Sequence, residues 1–167
     1  MIRLRALEPD DLDVLYSIEN DQTMWPYSDT SVPYSRDALH AYILTCSNDI
    51  FQDKQLRLVV ESDGVPVGLV DLCNFSPLHS RAEVSIAVLP ACQGQGVGAE
   101  ALRQLVRYAS QNIHLHQLYA VVAKENVASL KAFQHAGFCQ SSVLSAWIRR
   151  TDGSYADAVM LHFILEK

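Results

Sequence analysis

Hydrophobic residues recur along the chain with two periods, one typical of strands and the other typical of helices. Residues 84–89 form a β-rich apolar run, which predicts a strand buried on both faces. Pro90 cannot donate to a sheet ladder, so this strand should end there. From Val97 onward the apolar residues follow a helical period. The pattern therefore predicts a strand, a glycine-rich turn and a helix in direct succession.

The same two periods divide the rest of the chain. Strands are predicted at 2–7, 56–61, 65–73, 81–89, 118–122, 142–149 and 155–165. One helix is predicted to begin at residue 9, and three others are predicted at 35–47, 97–112 and 127–137. The helix that connects the strands at 81–89 and 118–122 implies that these two strands are parallel. The order β-α-α-β-β-β-α-β-α-β-β predicts an α/β sandwich with a mixed sheet. Because no repeat or linker is visible, one domain is expected over 1–167.

Composition and charge narrow the function classes. The chain has 167 residues, of which 49% are hydrophobic and 19% are charged, as in an ordinary globular protein. No apolar run approaches the ~20 residues of a membrane span, and the N-terminus lacks the apolar core of a signal peptide. We therefore expect a cytoplasmic protein without a membrane partner. The net charge of −6 argues against nucleic acid as the main partner.

The cysteines and histidines do not predict a metal site. Cys46, Cys73, Cys92 and Cys139 are scattered, which predicts buried free thiols in a reducing compartment. His114 and His116 end a predicted helix without a third ligand nearby. We therefore expect no bound metal.

The negative charge is concentrated near the N-terminus. Residues 1–37 contain eight acidic and three basic residues, which accounts for −5 of the net −6. This concentration could attract a cationic partner. The alternative is a solvated helix face with acidic residues in its first turns.

The glycine-rich turn suggests a phosphate-binding site. Gly94, Gly96 and Gly98 alternate just before the predicted helix. The first N–H groups of a helix have no partner within it, and the helix dipole favours an anion there. The alternative is a tight turn whose glycines supply positive φ angles. A nucleotide-triphosphate loop is excluded, because Gly-Lys-Ser/Thr does not follow.

A dinucleotide fingerprint is a second possibility for the same turn. Gly94, Gly96 and Ala99 satisfy its pattern, and Glu125 lies at about the distance of a ribose-binding acid. However, residues 90–93 separate the strand from the first glycine, and more than eighty residues precede the motif. A nucleotide-dependent oxidoreductase is therefore the less favoured interpretation.

Two motifs resemble a known enzyme family. Residues 93–98, Gln-Gly-Gln-Gly-Val-Gly, resemble the Gln/Arg-x-x-Gly-x-Gly/Ala loop of the GNAT superfamily of acyl-CoA-dependent N-acyltransferases. Residues 126–138 resemble the second CoA-contacting helix of that superfamily, which closes in Gly-Phe. Arg-Ala-Glu at 81–83 and Gly-Ser-Tyr at 153–155 are most similar to the spermidine N-acetyltransferases and their ribosomal-protein-acetylating relatives.

The resemblance implies a fold, a cofactor and a binding site. The implied fold is a mixed, centrally splayed sheet of six to seven strands flanked by about four helices. The implied co-substrate is acetyl-CoA, whose pantetheine arm would pair with the splayed end of the strand at 87–89. The residues expected to bind it are Ala87, Val88, Leu89, Gln93, Gly94, Gln95, Gly96, Val97, Gly98, Asn126, Ser129, Lys131 and Phe133.

The resemblance also implies catalytic roles. Glu83 matches a position where relatives carry a carboxylate, so it is a candidate general base, acting directly or through a water. The alternative is a strand-end charge that pairs with Arg81. Phe133 stands where many relatives carry a tyrosine that protonates the CoA thiolate. Because a thiol has a pKa around 8.5, loss of this acid should slow the reaction without preventing it. Tyr119, Ser129 and Tyr155 are candidate replacements.

The acceptor amine is open at this point. The resemblance places Trp25, Tyr27, Tyr34 and Tyr155 in the acceptor wall. Spermidine, another small amine, an amino sugar, a peptide N-terminus and a ribosomal protein all fit, and relatives often form homo-oligomers. The main prediction is acetyl transfer to a primary amine by direct attack in a ternary complex. The loss of the tyrosine leaves a non-catalytic acyl-CoA-binding module as the alternative.

Overall fold

A computed structural model describes residues 1–165. The strands are β1 (Ile2–Ala6), β2 (Leu56–Ser62), β3 (Val65–Ser76), β4 (Arg81–Val88), β5 (Gln117–Ala123), β6 (Cys139–Arg149) and β7 (Tyr155–Ile164). The α-helices are α1 (Leu12–Glu19), α2 (Arg36–Thr45), α3 (Ile50–Asp53), α4 (Val97–Tyr108) and α5 (Val127–His135). The strands form one sheet in the order β1-β2-β3-β4-β5-β7-β6, so the predicted mixed seven-stranded sheet is confirmed.

The centre of the sheet is split. The β4–β5 pair is parallel, as predicted, whereas the other neighbouring strands are antiparallel. The ladder between β4 and β5 contains only three residue pairs, from Arg81 opposite Gln117 to Glu83 opposite Tyr119. β4 then continues to Val88 and β5 to Ala123 without pairing to each other. The predicted central splay is therefore confirmed, and it opens beyond Glu83.

Polar side chains set the starts of the helices. The Ser35 hydroxyl accepts from the Ala38 N–H at 3.1 Å and caps α2 as predicted. Asn126 caps α5 in the same way, through the Ser129 N–H. The prediction of about four helices missed α3, which spans only four residues and starts at the Asp49 cap. A helix of one turn is too short to show a hydrophobic period.

The helices cover the two faces of the sheet unequally. Residues of α4 and α5 pack with the sheet in the larger core, which includes Leu102, Leu105 and Phe133. Residues of α1 and α2 form a smaller core over β2 and β3. We call these two sides the α4/α5 face and the α1/α2 face.

The prediction that β4 is buried on both faces is wrong. Val84 is only 3% exposed on the α4/α5 face, but its neighbour Ser85 is exposed and Glu83 is half-buried on the other face. The reason is that the smaller core formed by α1 and α2 reaches Ala87 and Leu89 of this region, whereas Ser85 stays exposed. We call the surface beside the split, where Glu83 and Ser85 lie, the cleft.

The cysteines are free, as expected, but they are not buried. Cys139 is exposed, and the other three cysteines are half-buried. Across residues 1–165, no cluster of three His, Cys, Asp or Glu side chains is arranged to hold a metal ion. In the same part of the chain, no helix is long and apolar enough to cross a membrane.

Candidate active site

The glycine-rich turn leads into α4 with free amides. Gly94 and Gly96 have φ angles of 74° and 80°, in the left-handed region that other residues adopt only with strain. Gly96 is the N-cap of α4, and no side chain caps the first N–H groups of this helix. The Gln95 amide donates instead to the Ala91 carbonyl at 3.0 Å. The turn therefore needs its glycines for conformation and also presents unpaired donors to an anion.

The structure brings the two motifs together. Gly98, in the first turn of α4, faces α5 and the tip of β4. A methyl group placed on it would lie 3.6 Å from the Ala132 side chain and 3.9 Å from those of Ile86 and Val88, all ordinary contact distances. The glycine turn, the second motif helix and the open end of β4 are therefore immediate neighbours.

The β3–β4 register decides which backbone groups face the split. Ala87 pairs with Leu69, and the Leu89 N–H donates to the Val67 carbonyl at 2.9 Å. In an antiparallel ladder alternate residues bond to the same neighbour. The backbone groups of Ile86 and Val88 therefore point toward the split, whereas those of Ala87 and Leu89 are used by β3.

Two consequences follow for the predicted strand tip. Of the three residues predicted there, Val88 carries backbone groups that face the split, and its carbonyl accepts from the Gln93 amide at 2.9 Å. The sequence argument missed Ile86, because strand alternation alone does not say which set of alternate residues faces the split. The N–H groups of Ile86 and Val88 are the best-placed donors for a ligand in the split.

The residues of α5 differ in how much they expose. Asn126 is half-buried, and its side-chain oxygen is occupied by the cap. Ser129 is half-buried and Lys131 is exposed. The Phe133 side chain is 1% exposed and packs edge-on against Phe138, with ring centroids 5.0 Å apart. Phe133 is therefore part of the larger core in this structure.

Glu83 lies where the split begins. It is the last residue of β4 that pairs with β5, opposite Tyr119. Its carboxylate accepts a hydrogen bond from the Asn74 amide, 2.7 Å from Nδ2 to Oε2. Its partner is thus a neutral amide rather than Arg81, the partner in the alternative interpretation. Within residues 1–165 no Lys or Arg side chain forms an ion pair with Glu83.

Acidic side chains act on the groups beside Glu83. Burial, and then the charges of Glu83, Asp71 and Asp29, raises the pKa of the Cys73 thiol to about 12, and the charge of Arg57 opposes them. The pKa of Tyr119 is also raised, first by burial and then by the charge of Glu83. Cys73 and Tyr119 therefore stay protonated near neutral pH, and the carboxylates supply the charge of this part of the cleft.

The acidic N-terminal residues serve different purposes. Asp11, Asp13 and Glu19 form ion pairs with arginines, and Asp11 is only 3% exposed. Asp29 belongs to the connection between α1 and α2, and its charge acts on Cys73. Neither interpretation of the acidic region holds for all of it, because some acids are structural and Asp29 lies near the cleft.

The predicted acceptor wall is mostly exposed. Trp25 is half-buried, and its indole N–H donates to the Glu19 carbonyl at 2.9 Å. Tyr27 and Tyr34 are 52% and 41% exposed in the same connection. Tyr155 is 58% exposed and starts β7, at the end of the sheet where β5 ends. These four aromatic side chains are accessible to a ligand to different degrees.

Comparison with known proteins identifies the class. Residues 2–139 match the family model of the acetyltransferase (GNAT) domain, so this chain belongs to the GNAT acetyltransferase family. Spermidine N(1)-acetyltransferase of Escherichia coli K12 is 29% identical over 140 residues, which cover 82% of this chain and 72% of the relative. The suspected resemblance is confirmed.

Solved structures agree in fold. The spermidine N-acetyltransferase of Vibrio cholerae in complex with CoA and spermine superposes with a TM-score of 0.82 at 28% identity, covering 98% of this chain and 95% of that one. A dodecameric structure of the Vibrio cholerae enzyme gives a TM-score of 0.78 at 27% identity, covering 98% and 93%. This chain is an acetyl-CoA-dependent N-acetyltransferase, which transfers an acetyl group to an amine. The dinucleotide alternative is thereby overturned, and Glu125 pairs instead with Arg150.

Proposed function

We propose that this enzyme acetylates a primary amine of a polyamine by direct attack on acetyl-CoA in a ternary complex, with Glu83 as the general base. One observation carries the proposal. At the mouth of the split, the Glu83 carboxylate is held by a neutral amide at 2.7 Å and is not neutralised by an ion pair within residues 1–165. A negative charge without a positive partner is suited to receive a cationic amine.

In the proposed complex, the CoA pyrophosphate binds the amides at the start of α4 and the pantetheine arm enters the split. The glycine turn from Gln93 to Gly98 supplies the donors for phosphate. Ala87, Val88 and Leu89 flank the pantetheine arm, and Asn126, Ser129 and Lys131 approach it from α5. Phe133 supports this site from the core beneath it.

The reaction then proceeds in balanced steps. Glu83 takes a proton from the ammonium group, directly or through a water, and the freed amine nitrogen forms a bond to the thioester carbon. The N–H groups of Ile86 and Val88 face the developing oxyanion; one such donor is worth roughly 2.7–4 kcal/mol in other enzymes. The C–S bond breaks, the thiolate leaves, and the nitrogen of the new amide releases its second proton to water. Because Phe133 cannot donate a proton, we propose that water protonates the thiolate.

The acceptor class follows from charge and from the relatives. The charges of Glu83 and Asp29 both act on Cys73. A polyamine could place its reacting nitrogen near Glu83 and a second cationic nitrogen near Asp29. The names of two relatives, spermidine acetyltransferases from Escherichia coli and Vibrio cholerae, support this acceptor over a peptide. Tyr27, Tyr34, Trp25 and Tyr155 would contact the methylene chain.

An acceptor panel tests the proposal. Thiol release from acetyl-CoA is measured with spermidine, spermine, butylamine, glucosamine and a peptide with N-terminal alanine. We expect kcat/KM for spermidine or spermine to exceed that for every other acceptor by at least about tenfold, since two charge contacts of the kind found at surfaces add up to ~1–2 kcal/mol. A preference for the peptide, or release that does not depend on any acceptor, would overturn it.

We also propose that the chain acts as a single domain, 1–167, in the cytoplasm and as a homo-oligomer. Four free cysteines support a reducing compartment. The dodecameric Vibrio cholerae relative supports an assembly. Edge strand β6 exposes Trp147 by 60% and Val143 by 45%, which suits contact with a second copy. Light scattering after size-exclusion chromatography tests the assembly, and a monomer at assay concentration would contradict it.

A further inference from the structure

We propose that Asn74 is a positioning residue for acetyl transfer, which holds the Glu83 carboxylate in place without cancelling its charge. This inference rests on the proposed role of Glu83 as general base. The role of Asn74 concerns how the carboxylate is oriented, whereas the proposed function concerns whether the carboxylate accepts a proton.

The backbone at Asn74 is unusual. The β3–β4 register shifts between Cys73 and Ser76, so β3 bulges at residues 74–75, next to the pair formed by Cys73 and Glu83. Asn74 has a φ angle of 47°, in the left-handed region. Asparagine tolerates this conformation better than most residues other than glycine. A bulge of this kind redirects a side chain, and bulges are frequent beside active sites.

The redirected side chain meets the carboxylate at close range. The Asn74 Nδ2 atom lies 2.7 Å from Glu83 Oε2, and Cys73 pairs directly with Glu83 across the two strands. On the other side, Tyr119 of β5 is the cross-strand neighbour of Glu83. The carboxylate is therefore held by a neutral amide on β3, and Tyr119 lies beside Glu83 on β5.

A neutral donor has a specific advantage here. An arginine in the place of Asn74 would fix the carboxylate but neutralise its charge. The electrostatic attraction of the cationic acceptor would then be weaker. An amide restricts the rotation of the carboxylate while leaving its negative charge for the amine. Small displacements of a reacting group can cost about a hundredfold in rate. The amide therefore contributes through geometry.

The test is a double-mutant cycle with Asn74→Gly and Glu83→Gln. Glycine accepts the left-handed backbone, so Asn74→Gly removes the amide without straining the bulge. We expect Asn74→Gly to lower kcat with polyamine by about 10- to 100-fold, with little change in the KM for acetyl-CoA. In the Glu83→Gln background, the same change should have no further effect on kcat.

Controls separate the possible failures. Asn48 also has a left-handed φ angle of 57° and lies in the connection between α2 and α3, so Asn48→Gly is a matched substitution that should leave kcat unchanged. Asn74→Asp keeps the side-chain shape but places a second carboxylate against Glu83, and should be slower than Asn74→Gly. Thermal melting confirms that each variant folds.

The outcomes distinguish this inference from the proposed function. If Glu83→Gln lowers kcat by about 10²- to 10⁴-fold, its residual turnover is still measurable. If the effect of Asn74→Gly is then absent, or is just as large in the Glu83→Gln background, the positioning role is wrong and the base survives. If Glu83→Gln retains full activity, the general base itself is wrong.

Discussion

Two groups of carboxylates lie on the same face of the sheet, Asp71 and Glu19 in the first and Glu83 in the second. Their hydrogen-bond partners differ in charge. In the first group, Arg57 of β2 bonds to both oxygens of Asp71, at 2.8 Å each, and to Glu19 at 2.6 Å. In the second group, Glu83 has the Asn74 amide as its hydrogen-bond partner, at 2.7 Å. Both groups contain acidic side chains that are partly removed from water. The first group shares one arginine, which compensates part of its charge, and the second has no lysine or arginine partner in the part of the chain that the structure describes.

The difference separates a structural role from a functional one. Burial opposes the charge of Arg57, yet the charges of Asp71 and Glu19 more than offset this, so the pKa of Arg57 is raised. These three residues satisfy one another and join α1, β2 and β3. Glu83 lies where the split begins, and no lysine or arginine among residues 1–165 forms an ion pair with it. An uncompensated carboxylate in a cleft points to a cationic ligand.

The largest expected effect comes from removing the uncompensated charge. Glu83→Gln keeps the shape of the side chain and can still accept from Asn74, but it cannot take a proton near neutral pH. We expect kcat/KM for a polyamine to fall by about 10²- to 10⁴-fold, the usual value of general acid–base catalysis. Steady-state thiol release measures it.

The Glu83→Gln enzyme should otherwise be intact. Its melting temperature and its affinity for CoA, measured by calorimetry, should match those of the unchanged protein. An activity loss of less than about threefold would remove Glu83 from the mechanism and would show that the amine loses its proton without a protein base.

Removing Arg57 from its pairs with Glu19 and Asp71 should lower the stability of the fold instead. Arg57→Met leaves Asp71 and Glu19 without a cation, and breaking a buried pair in this way typically costs about 3–5 kcal/mol. Because the Arg57 side chain is 23% exposed, solvent screening lowers the expectation to about 2–4 kcal/mol of unfolding free energy. Urea denaturation measures this change.

A surface arginine provides the matched control. Arg103 pairs with Glu100 one turn away on α4, and both side chains are more than a third exposed. Arg103→Met should therefore cost about 0.5 kcal/mol or less. If Arg57→Met costs no more than Arg103→Met, the ion pairs of Arg57 stabilise the fold no more than a surface pair does. The structural role assigned to Arg57, Asp71 and Glu19 would then be wrong.

Much of the fold could be predicted from the sequence, because its elements are long enough to show a period. The strand and helix order was correct, and so was the parallel pair at the centre. α3 was missed because residues 50–53 make only one turn. The exposed face of β4 was also missed. The run at 84–89 is apolar apart from Ser85, and the coverage of that face depends on helices distant in sequence.

The site was less accessible to sequence reasoning, for a physical reason. Glycines at 94–98 and the cap at Asn126 are local features, and their motifs could be found directly. The choice of Ile86 and Val88 as the residues facing the split follows from pairing with β3. The contact between Asn74 and Glu83 depends on a bulge. Contacts that depend on tertiary register leave no local signal.

The smallest expected effect tests how far the uncompensated charge extends. Asp29 contributes to the negative field at Cys73, beside Glu83. We expect Asp29→Asn to raise the KM for spermidine by about 2- to 5-fold, because one charge contact near a surface is worth up to ~1 kcal/mol. kcat should change little, since Asp29 would bind the nitrogen that does not react. Steady-state kinetics at low and high salt measure both parameters.

A matched control distinguishes local attraction from total charge. Asp10 is exposed near the N-terminus, and Asp10→Asn changes the net charge by the same amount. It should leave the KM for spermidine unchanged, and Asp29→Asn should leave the KM for butylamine unchanged. The difference between the two aspartates should shrink at high salt, because the interaction is screened. An equal effect of both substitutions would mean that the acceptor responds to overall charge. The local charge that binds the acceptor would then be that of Glu83 alone, without Asp29.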